Sequence, residues 1–271
     1  MSAPAERTIR VNGAPCRVWE KGRGEPLAIL APFGGWPRWT PFLESLATRR
    51  RVVVPSIPGF PGGLGHDRLD DLPDWIAATL DLLEGAGVAG ADLVGLSVGG
   101  TLAAEAAAFS PGIARRLVLV APFGLYDAAE PTADPWAQRL EDLPALMCSE
   151  PGRFAAELLP TSGEDAVERQ VLVLRAFEAA ARLLWPNVEL GLHKRLHRIR
   201  QPVLLVWGSG DRVVPPTYAK RFAAGMAGPT ELREVAGAGH RVDLDAPEAL
   251  AEAILAFVGS GIADPDRRAE A

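Results

Sequence analysis

The sequence has little of what would hold together a small secreted domain or anchor a protein in a lipid bilayer. Its 271 residues contain two cysteines, Cys16 and Cys148, which cannot form a disulfide framework and are typical of a reducing cytoplasm. No apolar run reaches the roughly 18 residues that a membrane-spanning helix needs. Residues 1–10 lack the apolar centre of a signal peptide. These absences lead us to expect a cytoplasmic protein with no membrane partner.

Basic residues are also fewer than acidic ones. The chain has 28 Lys and Arg against 34 Asp and Glu, a formal net charge of −6, which argues against nucleic acid as the main partner. Apolar residues make up 48% of the chain, and this excludes global disorder. The length suits one α/β domain or one domain with an insertion. We expect a small-molecule substrate and leave the oligomeric state open, with a homodimer as one candidate.

Signals for metals and organic cofactors are scarce. His193 and His197 have the spacing of a zinc-binding helix, but Lys194 stands where the catalytic glutamate would be and no third ligand is evident. The Gly-x-Gly-x-x-Gly pattern at residues 85–90 follows a predicted helix and precedes a strand, the reverse of a dinucleotide-binding turn. We therefore expect no metal and no cofactor.

Strand and helix patterns alternate along most of the chain. Apolar strand patterns occupy residues 27–31, 52–54, 91–96, 116–120 and 203–207. Helical patterns occupy residues 39–48, 72–84, 98–109 and 247–258. Before them, Asn12 and Gly13 indicate a hairpin turn. This order predicts an α/β fold with a doubly wound, mostly parallel sheet.

The pattern changes between residues 124 and 200. Prolines break this stretch, it shows no convincing strand, and helix-like runs occupy residues 153–159 and 164–184. We expect a helical insertion after the sixth strand. The chain then divides into a core of residues 1–123 and 201–271 and an insertion of residues 124–200.

A Gly-x-Ser-x-Gly motif at residues 95–99 places Ser97 between a predicted strand and a helix, as in a nucleophile elbow. Such a turn strains the serine backbone, and Gly95 and Gly99 remove side chains that would clash. The N–H groups at the start of the following helix point at the site. With 28 glycines in the chain, the motif alone is weak evidence.

A nucleophilic serine needs a base and a carboxylate that orients the base. Among the four histidines, only His240 lies in a loop after a late strand, and Asp211 directly follows the strand at residues 203–207. Serine, aspartate and histidine thus each follow a predicted strand, and these strand ends meet at one edge of the sheet. Asp243 and Asp245 come after the histidine, and we expect them to face solvent.

The motifs Gly-x-Ser-x-Gly-Gly, Gly-x-x-Asp-x-x-Val-Pro and Gly-x-Gly-His together resemble those of α/β-hydrolase-fold enzymes. The resemblance covers residues 25–123 and 201–258. It implies that Ser97 is the nucleophile, that His240 is the general base and then the general acid, and that Asp211 orients the imidazole. Some members of the family carry the acid after the sixth strand, which makes Asp127 the rival.

The resemblance also implies an oxyanion hole and a lid. One N–H donor is that of Val98, and the other is that of Phe33, if residues 31–35 align with the His-Gly-x loop of relatives. An insertion at residues 124–200 is in this family a lid that excludes water and sets selectivity. Candidate pocket residues lie on the oxyanion loop and the insertion: Gly34, Trp36, Phe123, Trp136 and Trp185. They indicate a mid-sized, largely apolar substrate.

The expected reaction is hydrolysis of an ester, lactone or thioester through an acyl-enzyme. Residues 193–208 are similar to carbon–carbon bond hydrolases that act on ring-cleavage diketones. Those enzymes often carry a tryptophan soon after the catalytic histidine, whereas Arg241 follows here, so ester chemistry is favoured. A lyase, an acyltransferase and a non-catalytic binding protein with the same fold stay open.

Overall fold

The computed structural model describes residues 3–158, 165–186 and 189–259, which form one eight-stranded sheet with helices packed against it. The strands are β1 (Ala5–Val11), β2 (Ala14–Lys21), β3 (Pro26–Leu30), β4 (Arg51–Pro55), β5 (Ala91–Leu96), β6 (Ala114–Val120), β7 (Val203–Gly208) and β8 (Thr230–Val235). The helices are α1 (Pro41–Ala47), α2 (Leu72–Gly85), α3 (Ser97–Phe109), α4 (Leu143–Met147), α5 (Pro151–Leu158), α6 (Ala166–Leu184), α7 (Tyr218–Gly225), α8 (Val242–Asp245) and α9 (Pro247–Gly259). The predicted α/β fold is confirmed.

The strand order in the sheet is β1-β2-β4-β3-β5-β6-β7-β8. The pairs β1–β2 and β2–β4 are antiparallel, and all other neighbouring strands are parallel. The β1–β2 hairpin turns at Asn12 and Gly13, whose φ angles of +48° and +76° suit a two-residue hairpin loop. An antiparallel hairpin thus forms one end of a mostly parallel sheet, as predicted.

The central strands β5 and β7 are buried on both faces and are apolar except for Asp92 of β5, whose carboxylate accepts hydrogen bonds from Arg115. Every residue of β5 and β7 is buried. Such strands belong to sheets that helices cover on both sides. Here α1 packs on α9 and α2 packs on α3. The carboxyl ends of β5, β7 and β8 lie at one edge of the sheet, and the loops carrying Ser97, Asp211 and His240 follow them.

Two helices begin where a polar side chain satisfies a free N–H group. Thr40 accepts a hydrogen bond from the Leu43 N–H at 3.4 Å, and Pro41 occupies the first position of α1. Asp71 accepts a hydrogen bond from the Asp74 N–H at 3.1 Å at the start of α2. Helix α1 is therefore shorter than the pattern at residues 39–48 predicts.

The connection from β6 to β7, here called the inserted segment (residues 124–200), contains α4, α5, α6 and no strand among its described residues. Helices α5 and α6 correspond to the predicted runs, of which residues 159 and 164 lie outside the described part. Because β6 and β7 are adjacent and parallel, the inserted segment also returns the chain to the opposite edge of the sheet. The domain boundaries at 123 and 201 stay a prediction.

Candidate active site

Ser97 lies at the junction of β5 and α3 with a positive φ of 51°, an uncommon conformation for a residue with a side chain. The chain can turn so sharply because the residues two before and two after Ser97 are glycines, Gly95 and Gly99. A Cβ added to Gly99 would lie 2.5 Å from the carbonyl oxygens of Leu30 and Ala31. A Cβ on Gly95 would meet the carbonyl oxygen of Gly99. The predicted elbow therefore forms, and both glycines are required for its close packing.

Ser97, His240 and Asp211 form one hydrogen-bonded chain. The Oγ of Ser97 lies 2.8 Å from Nε2 of His240, and Nδ1 of His240 lies 2.9 Å from Oδ2 of Asp211. The other oxygen of Asp211 accepts hydrogen bonds from the N–H groups of Val213 at 2.8 Å and Val214 at 3.0 Å. All three side chains are buried. With Asp211 ionised, Nδ1 donates to it and Nε2 is free to accept the Ser97 hydroxyl proton.

The loops that carry Asp211 and His240 are fixed to each other through the backbone. The N–H of Gly210 donates to the carbonyl oxygen of Ala238 at 2.8 Å. The Gly239 N–H donates to Asp245 Oδ2 at 2.7 Å. Asp245 also accepts hydrogen bonds from the N–H groups of Ser149 and Glu150 in the inserted segment. The expectation that Asp245 faces solvent therefore missed its role in positioning the histidine loop.

Asp127, the rival acid, lies elsewhere. It forms an ion pair with Arg221, and its Oδ1 accepts a hydrogen bond from the Ala129 N–H at 2.9 Å. The hydrogen bond from Ala129 and the interaction with Arg221 lower the pKa of Asp127 below its ordinary value. The structure thus brings Asp211, and not Asp127, to the imidazole of His240.

Phe33 and Val98, the predicted oxyanion-hole donors, lie on the loop after β3 and in the first turn of α3. The first N–H groups of a helix have no acceptor within the helix, so the Val98 N–H is available to a ligand. The ring of Phe33 stacks on Phe177 of α6 at a centroid distance of 4.5 Å and meets Trp136 edge-on at 5.5 Å. The inserted segment therefore packs directly on this loop. The oxyanion role of both N–H groups stays a prediction.

Three of the candidate pocket residues lie near the triad or the loop of Phe33. The Phe123 ring lies 5.4 Å from the imidazole of His240. A Cβ on Gly34 would lie 3.0 Å from the ring of Phe177, so α6 leaves no spare room there. The indole N–H of Trp136 donates to the Phe177 carbonyl oxygen at 3.0 Å. Phe177 was not predicted, although it lies among the buried residues of α6.

The other two candidate pocket residues have different surroundings. Trp185 exposes 58% of its surface and lines, with Trp136, a cavity of about 430 Å³ in the inserted segment. Trp36 is buried, and its indole N–H donates to Asp243 Oδ2 at 2.9 Å. A part in substrate binding stays a prediction for both.

Asp243 is buried, so the expectation that it faces solvent is wrong. Its oxygens accept hydrogen bonds from Nε and Nη2 of Arg241, each at 2.8 Å. Complete burial disfavours the charge of the guanidinium, but the charge and hydrogen bonds of Asp243 outweigh it and raise the pKa of Arg241. The signal in the sequence is an arginine directly after the catalytic histidine candidate, followed two residues later by an aspartate.

Metal sites and membrane-spanning helices can be assessed for residues 3–158, 165–186 and 189–259. Within these ranges, no group of three or more His, Cys, Asp or Glu side chains is arranged to hold a metal ion. His193, one of the two histidines at helical spacing, contacts Glu189 at 3.1 Å instead. No helix in the same ranges is long and apolar enough to cross a bilayer.

Comparison with known proteins identifies the family of the chain. The profile of the alpha/beta hydrolase family matches residues 28–253. The chain is 29% identical to the dihydrolipoyllysine-residue acetyltransferase component of the acetoin cleaving system of Pseudomonas putida, over 94% of this chain and 70% of that protein. It is 25% identical to a 2-hydroxy-6-oxo-2,4-heptadienoate hydrolase of P. putida, over 90% of this chain and 93% of that protein. It is 31% identical to a pimeloyl-[acyl-carrier protein] methyl ester esterase of Shewanella woodyi, over 72% and 78%. The chain therefore belongs to the alpha/beta hydrolase family and is an enzyme of that fold.

Proposed function

We propose that the protein is a serine hydrolase that cleaves an ester, lactone or thioester of a mid-sized, largely apolar acid. The observation that carries the proposal is the buried chain of hydrogen bonds from Ser97 through His240 to Asp211. The 31% identical relative, a methyl ester esterase by name, supports ester chemistry. Both cysteines are free and buried, which supports a cytoplasmic setting.

In the proposed reaction, Ser97 Oγ attacks the substrate carbonyl carbon while His240 Nε2 takes the hydroxyl proton. The N–H groups of Phe33 and Val98 donate hydrogen bonds to the resulting oxyanion. His240 then gives its proton to the leaving alcohol or thiol as the bond to the acyl carbon breaks. Water attacks the acyl-enzyme, His240 takes a proton from it and returns that proton to Ser97 Oγ. Asp211 stays ionised and holds the imidazole throughout.

The surroundings of the triad support an apolar acyl group. Phe33, Phe123 and Phe177 present aromatic rings on the loop after β3, at the imidazole and on α6. The inserted segment packs on the Phe33 ring, and we propose that it acts as the lid that excludes water and selects the substrate.

A second candidate is hydrolysis of a carbon–carbon bond, since one relative is by name a heptadienoate hydrolase. A dienoate substrate carries a carboxylate, and its binding calls for a cation. Two arginines are already paired with buried carboxylates and are not available to such a substrate: Arg241 binds Asp243 and Arg195 binds Glu105. An acceptor other than water would make the same triad an acyltransferase, in keeping with the name of the first relative.

Labelling with a fluorophosphonate tests the proposal. We expect wild-type protein to be labelled at Ser97 and to hydrolyse p-nitrophenyl butyrate, and Ser97→Ala to do neither. Ser56→Ala is the matched control, because Ser56 is also buried but lies outside the triad, and it should be labelled like wild type. A wild-type protein that resists labelling, or equal labelling of Ser97→Ala, would contradict the proposal and leave a binding protein. Faster turnover of a ring-cleavage diketone than of any ester would favour the second candidate.

A further inference from the structure

Arg241 connects the histidine loop to the loop that carries Phe33. It directly follows His240 and is fully buried. Its Nη1 donates to the carbonyl oxygen of Phe33 at 2.9 Å, while Nε and Nη2 bind the two oxygens of Asp243. Trp36, three residues after Phe33, donates its indole N–H to the same carboxylate. The guanidinium is therefore fixed on one side by Asp243 and holds a backbone carbonyl on the other.

The carbonyl that Arg241 holds lies in the middle of a tight turn. The N–H of Gly35 donates to the carbonyl oxygen of Pro32 at 2.8 Å, which closes a four-residue turn with Phe33 and Gly34 at its centre. Gly34 has a φ of +82°. The central peptide of such a turn can flip between two turn types that differ in where its carbonyl points. A hydrogen bond from a fixed guanidinium selects one of these orientations.

Stability alone does not account for this arrangement. A buried ion pair recovers about as much energy as its desolvation costs, and apolar residues of similar volume often serve equally well. What apolar residues cannot supply is a charged donor at the Phe33 carbonyl. A flip of the Phe33–Gly34 peptide would turn the Gly34 N–H and not the Phe33 N–H. The hydrogen bond from Arg241 acts on the Phe33 N–H, one of the two proposed oxyanion donors, by fixing the position of the α-carbon that this N–H shares with the bound carbonyl.

We propose that Arg241, held in place by Asp243, is a positioning residue that fixes the turn at Phe33 so that its N–H points at the reacting carbonyl oxygen. Because Arg241 directly follows His240 in the chain, its hydrogen bond to Phe33 also fixes the position of the general base relative to the oxyanion turn. The inference rests on the proposed function and adds to it a residue that contacts neither substrate nor nucleophile.

The chain offers a matched control for this ion pair. Arg195 binds both oxygens of Glu105 at 2.8 and 2.6 Å and also donates to a backbone carbonyl, that of Leu190. The side chain of Glu105 is fully buried, as that of Asp243 nearly is. This second pair joins the inserted segment to α3 and makes no contact with the turn at Phe33.

The test compares two double variants, Arg241→Met with Asp243→Asn and Arg195→Met with Glu105→Gln, neither of which leaves a buried charge unpaired. Active sites are counted by fluorophosphonate labelling, and kcat and KM are measured with a p-nitrophenyl ester. We expect kcat per labelled site to fall by about 10- to 100-fold in the first variant, with KM changed less than about threefold, because only the transition state uses the oxyanion donor. The control variant should stay within about threefold of wild type in both.

Inhibition by a trifluoromethyl ketone separates positioning from general loosening. This inhibitor adds to the serine and leaves an oxyanion, so its affinity for the Arg241→Met/Asp243→Asn protein should fall by the same factor as kcat/KM. Trp36→Phe removes the indole hydrogen bond to Asp243 together with part of a buried ring, and it should lower kcat by about threefold to tenfold. Because Trp36 is also a candidate pocket residue, an equal fall in inhibitor affinity with KM changed less than about threefold assigns the effect to the oxyanion turn, and this decides the question even if the double variant does not fold. An unchanged kcat in both proteins, or a lower kcat with undiminished inhibitor affinity, would overturn the inference. A wild-type protein that is never labelled would instead refute the proposed function.

Discussion

The loops that carry the triad and the inserted segment that covers them are held by different kinds of contacts. The triad loops are held by hydrogen bonds of backbone N–H groups, from Gly210 to the Ala238 carbonyl oxygen and from Val213 and Val214 to the Asp211 carboxylate. The inserted segment is held largely by side chains, through the packing of Phe177 on Phe33 and ion pairs such as that of Arg195 with Glu105. Its backbone meets the triad loops at a few points, among them the hydrogen bond from the Arg241 N–H to the Met147 carbonyl oxygen.

We expect this difference to separate the chemistry from the selectivity. A hydrogen bond from a backbone N–H group does not depend on the side chain of its donor residue. The triad loops should therefore keep their geometry through most substitutions, except those of their glycines and of the triad residues themselves. Side-chain packing changes with each substitution, so we expect that α6 can vary without disturbing the triad as long as residues 147–150, which hydrogen-bond to the histidine loop, are kept. Four predictions test this separation, from the largest expected effect to the smallest.

Exchange of the acid tests the triad loops. Asp211→Asn should lower kcat by about 10⁴-fold, because the amide no longer favours the imidazole tautomer that accepts from Ser97. Asp127→Asn should stay within about threefold, since Asp127 is bound to Arg221. Turnover of a p-nitrophenyl ester by the two proteins is the measurement. The opposite ranking would move the role of the acid to Asp127.

Phe177→Leu tests the inserted segment. The leucine leaves space above the Phe33 ring, so the ratio of kcat/KM for long over short acyl esters should change by about 10-fold, while the rate of fluorophosphonate labelling stays close to that of wild type. Phe222→Leu, which alters a ring packed on Trp207 in the core, is the control and should leave the ratio unchanged. An unaltered ratio in Phe177→Leu would mean that α6 does not set selectivity.

The two buried cysteines allow the inserted segment and the sheet to be compared by how the free energy of unfolding depends on pH. Burial raises the thiol pKa of Cys148 in the inserted segment and that of Cys16 in β2, and the shift of Cys148 is the larger. The unfolded thiol ionises above its ordinary pKa of about 8.5 while the folded one stays protonated. Each thiol's contribution to stability is thus complete below that pH and declines above it, by at most about 1.4 kcal/mol per pH unit.

Urea unfolding at pH 7 to 10 measures this effect. Cys148→Ala should remove more of the decline in unfolding free energy than Cys16→Ala does. If the free energy of unfolding declines with pH equally in the two variants, the inserted segment excludes water from Cys148 no better than β2 and its neighbours exclude it from Cys16.

The smallest effect is expected from an ion pair between the two regions. Arg38, on the loop before α1, binds Glu157 of α5 and has an exposed side chain. Glu157→Gln should change the free energy of unfolding by less than about 1 kcal/mol and kcat by less than threefold, because Arg38 stays largely in solvent, which screens the pair. A larger loss of activity would show that polar contacts, and not the rings, hold the inserted segment in place.

Much of the fold and the grouping of the triad were predictable because their signals are local. The apolar run at residues 91–96 and the glycines around Ser97 specify a buried strand and a turn without reference to any distant residue. Asp211 and His240 could be placed because each follows a strand, and parallel strands bring their ends to one edge.

The rest depended on contacts far apart in sequence. Arg241 and Asp243 have the composition of a surface loop, and they are buried because Phe33 and Trp36, more than 200 residues earlier, lie over them. Helical spacing predicts that α6 has a buried face, but not that Phe177 on this face stacks on the oxyanion loop. The periodicity of apolar residues predicts which face of a helix is buried, but not which distant residue packs against it.

The path of the inserted segment limits how the enzyme could be redesigned. Its last residues carry the chain back along α3, where Arg195 binds Glu105 and Arg198 donates to the Ala108 carbonyl oxygen. Residues 189–200 are thus part of the crossover between two parallel strands, which needs a dozen residues or more. A chimera that takes its lid from a relative should therefore keep the native return path and residues 147–150, which hydrogen-bond to the histidine loop, and exchange the rest of residues 125–186. A graft that replaces the whole segment would exchange a structural connection together with the specificity.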